Sequence, residues 1–212
     1  ITVSSLGEAI IPIDKLGNPL SPSITGTDVR GAEELERILS DVASEKLTDI
    51  TGLNISTIYS ANKICWLKKN NPEIYEKAWK IVTFQDYVIF RLTNSAIIDY
   101  SMASRTLLFD ININKWSDEL LSITGIEKNK LSKPVRAGTI GGSLKSGIAK
   151  ELGFIGEVDV VVGTHDHICN AIGSGSINDG DCTNTVGTTE GLTYLLSGNQ
   201  ISTDAIGKYH IS

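Results

Sequence analysis

Apolar residues along this chain switch between two periods, and the switches mark out its elements. Ile1-Thr2-Val3-Ser4 alternates, and Ala9 to Ile13 runs apolar, which predicts two short strands joined at Gly7. Asp14-Lys15-Leu16-Gly17-Asn18-Pro19 predicts a turn, because Gly17 accepts positive φ and Pro19 closes it. The period then lengthens. Leu35, Ile38, Leu39 and Val42 stand at helical spacing behind an acidic first turn, so residues 32–44 are predicted helical. A second helix is predicted over 60–69 and ends at Asn71-Pro72, since a residue before proline is pushed out of the α region. Residues 72–79 predict a short third helix. Residues 83–93 predict a fourth, opened by Thr83 with Asp86 three positions on, close to a capping box.

Further along, Asp118 to Thr124 predicts a short helix stopped at Gly125, and Gly138 to Gly142 a glycine-rich loop. A helix over 145–152 is predicted to close on Gly153. Val158 to Val162 is the pattern of a strand buried on both faces, and the residues from His167 to Ile172 begin a helix. Last come strands at 182–186 and 192–196 around Gly187-Thr188-Thr189-Glu190-Gly191. Strands alternating with helices predict an α/β protein. Asn178-Asp179-Gly180 is turn chemistry between a helix and a hairpin, which places a domain boundary after residue 177: one domain over 1–177, and the start of another over 178–212.

Composition narrows the function classes. The formal net charge is −6, and the lysines at 68–69 and 128–130 are local groups on solvated faces, so no basic stripe for nucleic acid is present. Cys65, Cys169 and Cys182 are odd in number and lack CxxC spacing, so neither a disulfide framework nor a structural zinc site is expected. No apolar run approaches the span of a bilayer, and a cytoplasmic protein without membrane contact is expected. The chain opens and closes in the middle of elements, which reads as an internal piece of a longer protein.

The chemistry concentrates at Val160-Val161-Val162-Gly163-Thr164-His165-Asp166-His167. A buried strand delivers a carboxylate to its C-terminal edge, where α/β proteins place ligands. The helix that follows favours the ionised form through its dipole, and a general base needs that form. Read locally, Asp166 is also an ordinary N-cap residue, and the two roles are compatible. His165 and His167, two apart, could face one side of a strand and share a metal, as in metal-dependent hydrolases; the third histidine, His210, lies far along the chain. Gly187-Thr188-Thr189 combines close backbone approach with hydroxyls, which suits an anion, although a Gly-Thr turn is more often only a hairpin.

Taken together these pieces resemble the FGGY family of carbohydrate kinases. The resemblance runs through Ser4-Ser5-Leu6-Gly7-Glu8-Ala9, Asp28-Val29-Arg30, Ser60-Ala61-Asn62-Lys63-Ile64-Cys65-Trp66-Leu67, Asp86-Tyr87, Asp99-Tyr100-Ser101 and Ala103-Ser104-Arg105-Thr106. It implies a ribonuclease H-like, actin-like ATPase domain with the first hairpin of a second such domain. It implies phosphorylation of a terminal hydroxyl of a sugar or polyol by ATP with Mg²⁺, and Asp166 as the catalytic base. Glu8, His167, Asp28 and Arg30 become substrate-side residues, and Gly187, Thr188 and Thr189 a phosphate-binding loop. A non-catalytic sugar-binding relative and a homo-oligomer both stay open. Lys63 and Trp66 are expected to pack a helix on the core, and Arg105 to be a structural ion-pair partner. Three positions depart from the family pattern: Gly26 where a Trp is expected, Ile58 where an aromatic, a small residue or Met is expected, and His167 where an amide is expected. All three lie toward the sugar, so the resemblance implies the reaction more firmly than the substrate.

Overall fold

The computed structural model describes residues 1–186 and 190–197. Its chain order begins with β1 (Ile11–Ile13), α1 (Ala32–Asp41), α2 (Ser44–Thr51), α3 (Ser60–Asn70) and α4 (Pro72–Lys77). Gly31 precedes α1 at φ 92°, where a Cβ would lie 2.6 Å from the Asn62 carbonyl oxygen, so only glycine fits. The predicted helix over 32–44 stops at Asp41. Val42 is extended, and a second helix, α2, follows it. The apolar pattern misses α2 because two of its three buried residues, Thr48 and Thr51, are threonine. Thr48 and Thr51 hydrogen-bond backbone carbonyls at 3.0 and 2.8 Å and so enter the interior satisfied. Leu35, Ile38, Leu47, Tyr59, Ile64 and Tyr75 meet Met102, Phe109 and Trp116 in the larger core cluster.

β2 (Lys80–Val82) pairs antiparallel with β1, with Ile11 opposite Val82. α5 (Phe84–Thr93) starts from the predicted capping box: the Thr83 side chain and the Asp86 carboxylate each satisfy the other's backbone. β3 (Ile97–Asp99) leads directly into α6 (Tyr100–Ser104); β4 (Phe109–Asp110) and β5 (Lys115–Trp116) form a small ribbon, and α7 (Asp118–Thr124) ends at Gly125 as predicted. β6 (Lys133–Val135) lies parallel to β3.

The segment expected to be a glycine-rich loop is in fact largely β7 (Ile140–Ser143), paired antiparallel with β8 (Asp159–Val161) across a register irregularity. Its glycines serve packing. A Cβ on Gly141 would come 3.0 Å from Ile97 Cδ1, and one on Gly142 would come 3.2 Å from Thr93 Cβ. α8 (Ser146–Glu151) lies between these two strands in sequence. β8 buries Val160, and Val162 just past its end is buried too, while Asp159 is exposed and Val161 half-buried; the double burial read from the sequence holds on one face only. Residues 1–5 run parallel beside it, bridged at Thr2 to Val161 and at Ser5 to His165.

α9 (Asp166–Gly173) follows, and then β9 (Cys182–Val186) and β10 (Glu190–Tyr194), an antiparallel hairpin whose second strand begins two residues earlier than its apolar pattern predicts. Among the described residues no helix is long and apolar enough to cross a membrane.

Candidate active site

β8 ends at Val161, and the chain passes Gly163 and buried Thr164 before α9 begins. His165, not Asp166, is the N-cap: its Nδ1 accepts from the His167 backbone N–H at 3.4 Å. Asp166 is the first helical residue, and its Oδ1 takes the same N–H at 2.8 Å. The carboxylate lies 3.2 Å from His165 Nδ1 and its side chain is 46% exposed, so it is neither sealed in the interior nor used up as a cap.

Two tethers hold this turn from behind. The Asp166 backbone N–H donates to the Ser5 carbonyl at 2.9 Å, which ties the helix start to the segment carrying Gly7 and Glu8. The His165 backbone N–H donates to Ser101 Oγ at 3.0 Å. Ser101 Oγ in turn lies 2.6 Å from both Asp99 Oδ2 and Thr164 Oγ1. Asp99 is buried, which pushes its carboxyl up from the ordinary range, and the Ser101 hydroxyl and backbone donors oppose that shift.

Glu8 stands beside this turn at φ 64°, a left-handed conformation unusual for a glutamate. The side chains of Glu8 and Arg105 are 12% and 13% exposed and form an ion pair, with Arg105 Nε 2.5 Å from Glu8 Oε1 and the other guanidinium arm on the same oxygen. The guanidinium also lies 5.4 Å over the Tyr59 ring. Glu8 Oε2 faces Gly26: a Cβ there would sit 3.5 Å from that oxygen and 3.7 Å from the Ile58 carbonyl. Gly26 and Ile58, two of the departures from the family pattern, therefore flank Glu8 together. Gly7 completes the contact, since a Cβ on it would lie 3.1 Å from the His165 ring and 3.4 Å from Arg105 Cβ.

Asp28 and Arg30 grip each other, with Arg30 Nε 2.9 and 3.0 Å from the two carboxylate oxygens. The Arg30 side chain, first by hydrogen bonding, holds the Asp28 carboxyl down at about 2. The guanidinium stacks 4.9 Å over Trp66. Lys63 is fully buried, and Nζ donates to the Thr57 and Ile58 carbonyls at 2.7 Å each and to Tyr59 O at 3.3 Å. It thereby fixes the loop that carries Ile58, the packing role the sequence implied. Burial pushes its ammonium down to about 8.

His167 turns toward the hairpin. Its ring lies where a Cβ on Gly191 would be 3.1 Å away, and it stacks on His165 at 5.4 Å. Asn170 Nδ2 adds a 2.6 Å bond to Thr185 Oγ1, so β9 and β10 pack on α9. Gly187, Thr188 and Thr189, which join those strands, lie outside the described residues, as does His210. Among the described residues no three His, Cys, Asp or Glu side chains gather as metal ligands, so the hydrolase reading of His165 and His167 lacks further ligands there. A surface hollow of about 490 Å³ beside Asp14, Trp79 and Lys130 includes none of these site residues. The residues that sequence reasoning passed over are Asp99, Ser101 and Thr164. The signal was present in the Asp99-Tyr100-Ser101 block, but nothing local joins it to Thr164, 63 residues on from Ser101.

The α/β frame that carries this strand-to-helix carboxylate and the buried glutamate–arginine pair is that of the actin-like ATPase fold. The chain belongs to the FGGY family of carbohydrate kinases, whose N-terminal domain matches residues 1–173. Among its relatives, the gluconokinase of Bacillus subtilis (strain 168) is 30% identical over 208 residues, which cover 98% of this chain and 40% of that protein. The glycerol kinase of Thermococcus onnurineus (strain NA1) is 35% identical over 217 residues, covering 98% of this chain and 43% of the relative. Among solved structures, the ligand-bound xylulose kinase from Lactobacillus acidophilus superposes with a TM-score of 0.81 at 26% identity, covering 89% of this chain and 39% of that one. Plasmodium falciparum glycerol kinase with ADP also reaches 0.81, at 28% identity, covering 89% of this chain and 38% of that one. The chain thus spans about two fifths of the length of the curated relatives it matches.

Proposed function

We propose that the whole protein phosphorylates a terminal hydroxyl of a sugar or polyol at the expense of ATP, with Asp166 as general base. The observation that carries this is the half-exposed Asp166 carboxylate at the N-terminus of α9, tied through Ser5 to the segment that presents Glu8. Asp166 accepts the proton of the substrate hydroxyl within hydrogen-bond reach, and the freed oxygen attacks the γ-phosphorus in line as its bond to the ADP leaving group breaks. Glu8 and His167 hold the substrate's other hydroxyls. Asp28 and Arg30, neutralised by each other, form the outer substrate wall.

The loop Gly187-Thr188-Thr189 supplies backbone and hydroxyl donors to the phosphates. Its two strands pack on α9, which supports placing it near Asp166. Mg²⁺ would enter with the nucleotide and would supply charge neutralisation at the transferring phosphoryl group. Residues 1–177 form the first lobe and 178–212 begin the second. Support comes from the family match ending at residue 173 and from a turn in which Asp181 Oδ2 accepts the Ile177 and Asn178 N–H groups at 2.9 and 2.7 Å. The unpaired thiols Cys65, Cys169 and Cys182 suit a reducing cytoplasm.

A coupled ADP-release assay on the full-length protein, across pentuloses, hexuloses, gluconate, erythritol and glycerol, tests this reading. Acceptor-dependent ADP release with at least one of them is expected, matched by an equal amount of phosphorylated acceptor. Binding of an acceptor with no ADP release from any would replace the kinase with a silent sugar-binding relative.

A further inference from the structure

We propose that Asp99, acting through Ser101 and Thr164, is a positioning residue that sets where the Asp166 carboxylate stands. The proposal rests on Asp166 being the base. Asp99, Ser101 and Thr164 are all buried, so none of them meets substrate. Their hydrogen bonds form a closed account. An ionised carboxylate only accepts, so the Ser101 hydroxyl donates to Asp99 Oδ2 at 2.6 Å. That leaves Ser101 Oγ with acceptor capacity for the Thr164 hydroxyl at 2.6 Å and for the His165 backbone N–H at 3.0 Å. Thr164 Oγ1 lies 3.2 Å from the same Asp99 oxygen, which holds the cluster as a triangle.

Asp99 is itself fixed from both sides. Its backbone N–H donates to Gln85 Oε1 at 3.3 Å, and its carboxylate caps α6 through the Ser101 and Met102 N–H groups at 2.9 and 3.4 Å. β3 and α6 therefore meet the end of β8 at one buried point, immediately before the base. The His165 N–H that Ser101 holds belongs to the peptide next to Asp166. From outside the turn, the Ser101 hydroxyl takes the His165 N–H and the Ser5 carbonyl takes the Asp166 N–H. Loss of the Ser101 hydroxyl frees that peptide without removing any group that faces the substrate.

The test is steady-state kinetics on full-length protein carrying Ser101→Ala, and in parallel Thr164→Val and Thr164→Ser, with thermal melting on each. The expected result for Ser101→Ala is a kcat lowered about 10- to 100-fold, as a misplacement near 1 Å costs, with KM for acceptor and ATP within twofold of wild type. Thr164→Val is expected to lower kcat with KM unchanged, and Thr164→Ser, which keeps the hydroxyl, to restore it. If Ser101→Ala does not fold, the Thr164 pair decides alone. Folded Ser101→Ala or Thr164→Val protein with wild-type kcat overturns the proposal, as does equal loss in Thr164→Val and Thr164→Ser. Asp166→Asn in the same assay separates the two levels: if it is inactive while Ser101→Ala is unimpaired, only the positioning role fails. If Asp166→Asn turns over normally, the base assignment fails and the positioning role with it.

Discussion

Asp86 shows what a single residue can do out of sight of the chemistry. It is completely buried at the start of α5, accepts from the Thr83 backbone and hydroxyl at 2.6 Å each, and takes the Ser132 hydroxyl at 2.5 Å. Burial outweighs these donors and pushes its carboxyl up to about 6, with Lys80 the charged neighbour that feels it. Because the folded-state value lies above the model-peptide one, the folded protein binds more protons than the unfolded chain between pH 4 and 6, roughly. The contribution of this group to stability is therefore complete below that window and is lost as pH rises through it. Asp86→Asn keeps an acceptor for Thr83 and has no charge to bury. Relative to the variant, wild type should lose on the order of 2 to 3 kcal/mol between pH 4 and pH 7, read from paired denaturation curves. Parallel curves at both pH values would contradict this. The capping role of Asp86 was legible from Thr83 three residues earlier. Its burial was not, because Ser132, which donates to its second oxygen, arrives from 46 residues away.

Among elements, the pairing of residues 1–5 beside β8 ties down the start of α9 at Asp166, and Gly163 is what permits it. A Cβ there would lie 2.1 Å from the Val3 carbonyl oxygen and 2.9 Å from Thr2 Oγ1, and a backbone oxygen cannot step aside. Gly163→Ala should cost about 3 kcal/mol through overpacking and loosen the Ser5 carbonyl from the Asp166 N–H. A lowered urea midpoint together with lowered kcat checks it; an unchanged midpoint would show that the strand yields freely. Helix ends with a glycine or a proline were readable in the sequence, as Gly125 and Pro72 show, since those residues act locally. α2 was not readable because its threonines bury by bonding backbone carbonyls, and β7 was mistaken for a loop because its glycines answer to neighbours, Ile97 and Thr93, that local pattern cannot name.

At the scale of the whole molecule, the described chain supplies one wall of a site. The His165 ring and Arg105, paired with Glu8, gather around Gly7, with Lys63 fixing the loop that carries Ile58 and the β9–β10 hairpin resting on α9. Resemblance pointed to Asp166 and Glu8 by position, but the partnership of Glu8 with Arg105 needed the fold, since those two residues are brought together from 97 positions apart. The account stands or falls on one carboxylate. In full-length Asp166→Asn, acceptor binding measured by calorimetry should stay within about threefold of wild type while kcat falls about 10²- to 10⁴-fold, the range of general-base catalysis. Turnover within a few-fold of wild type would contradict it.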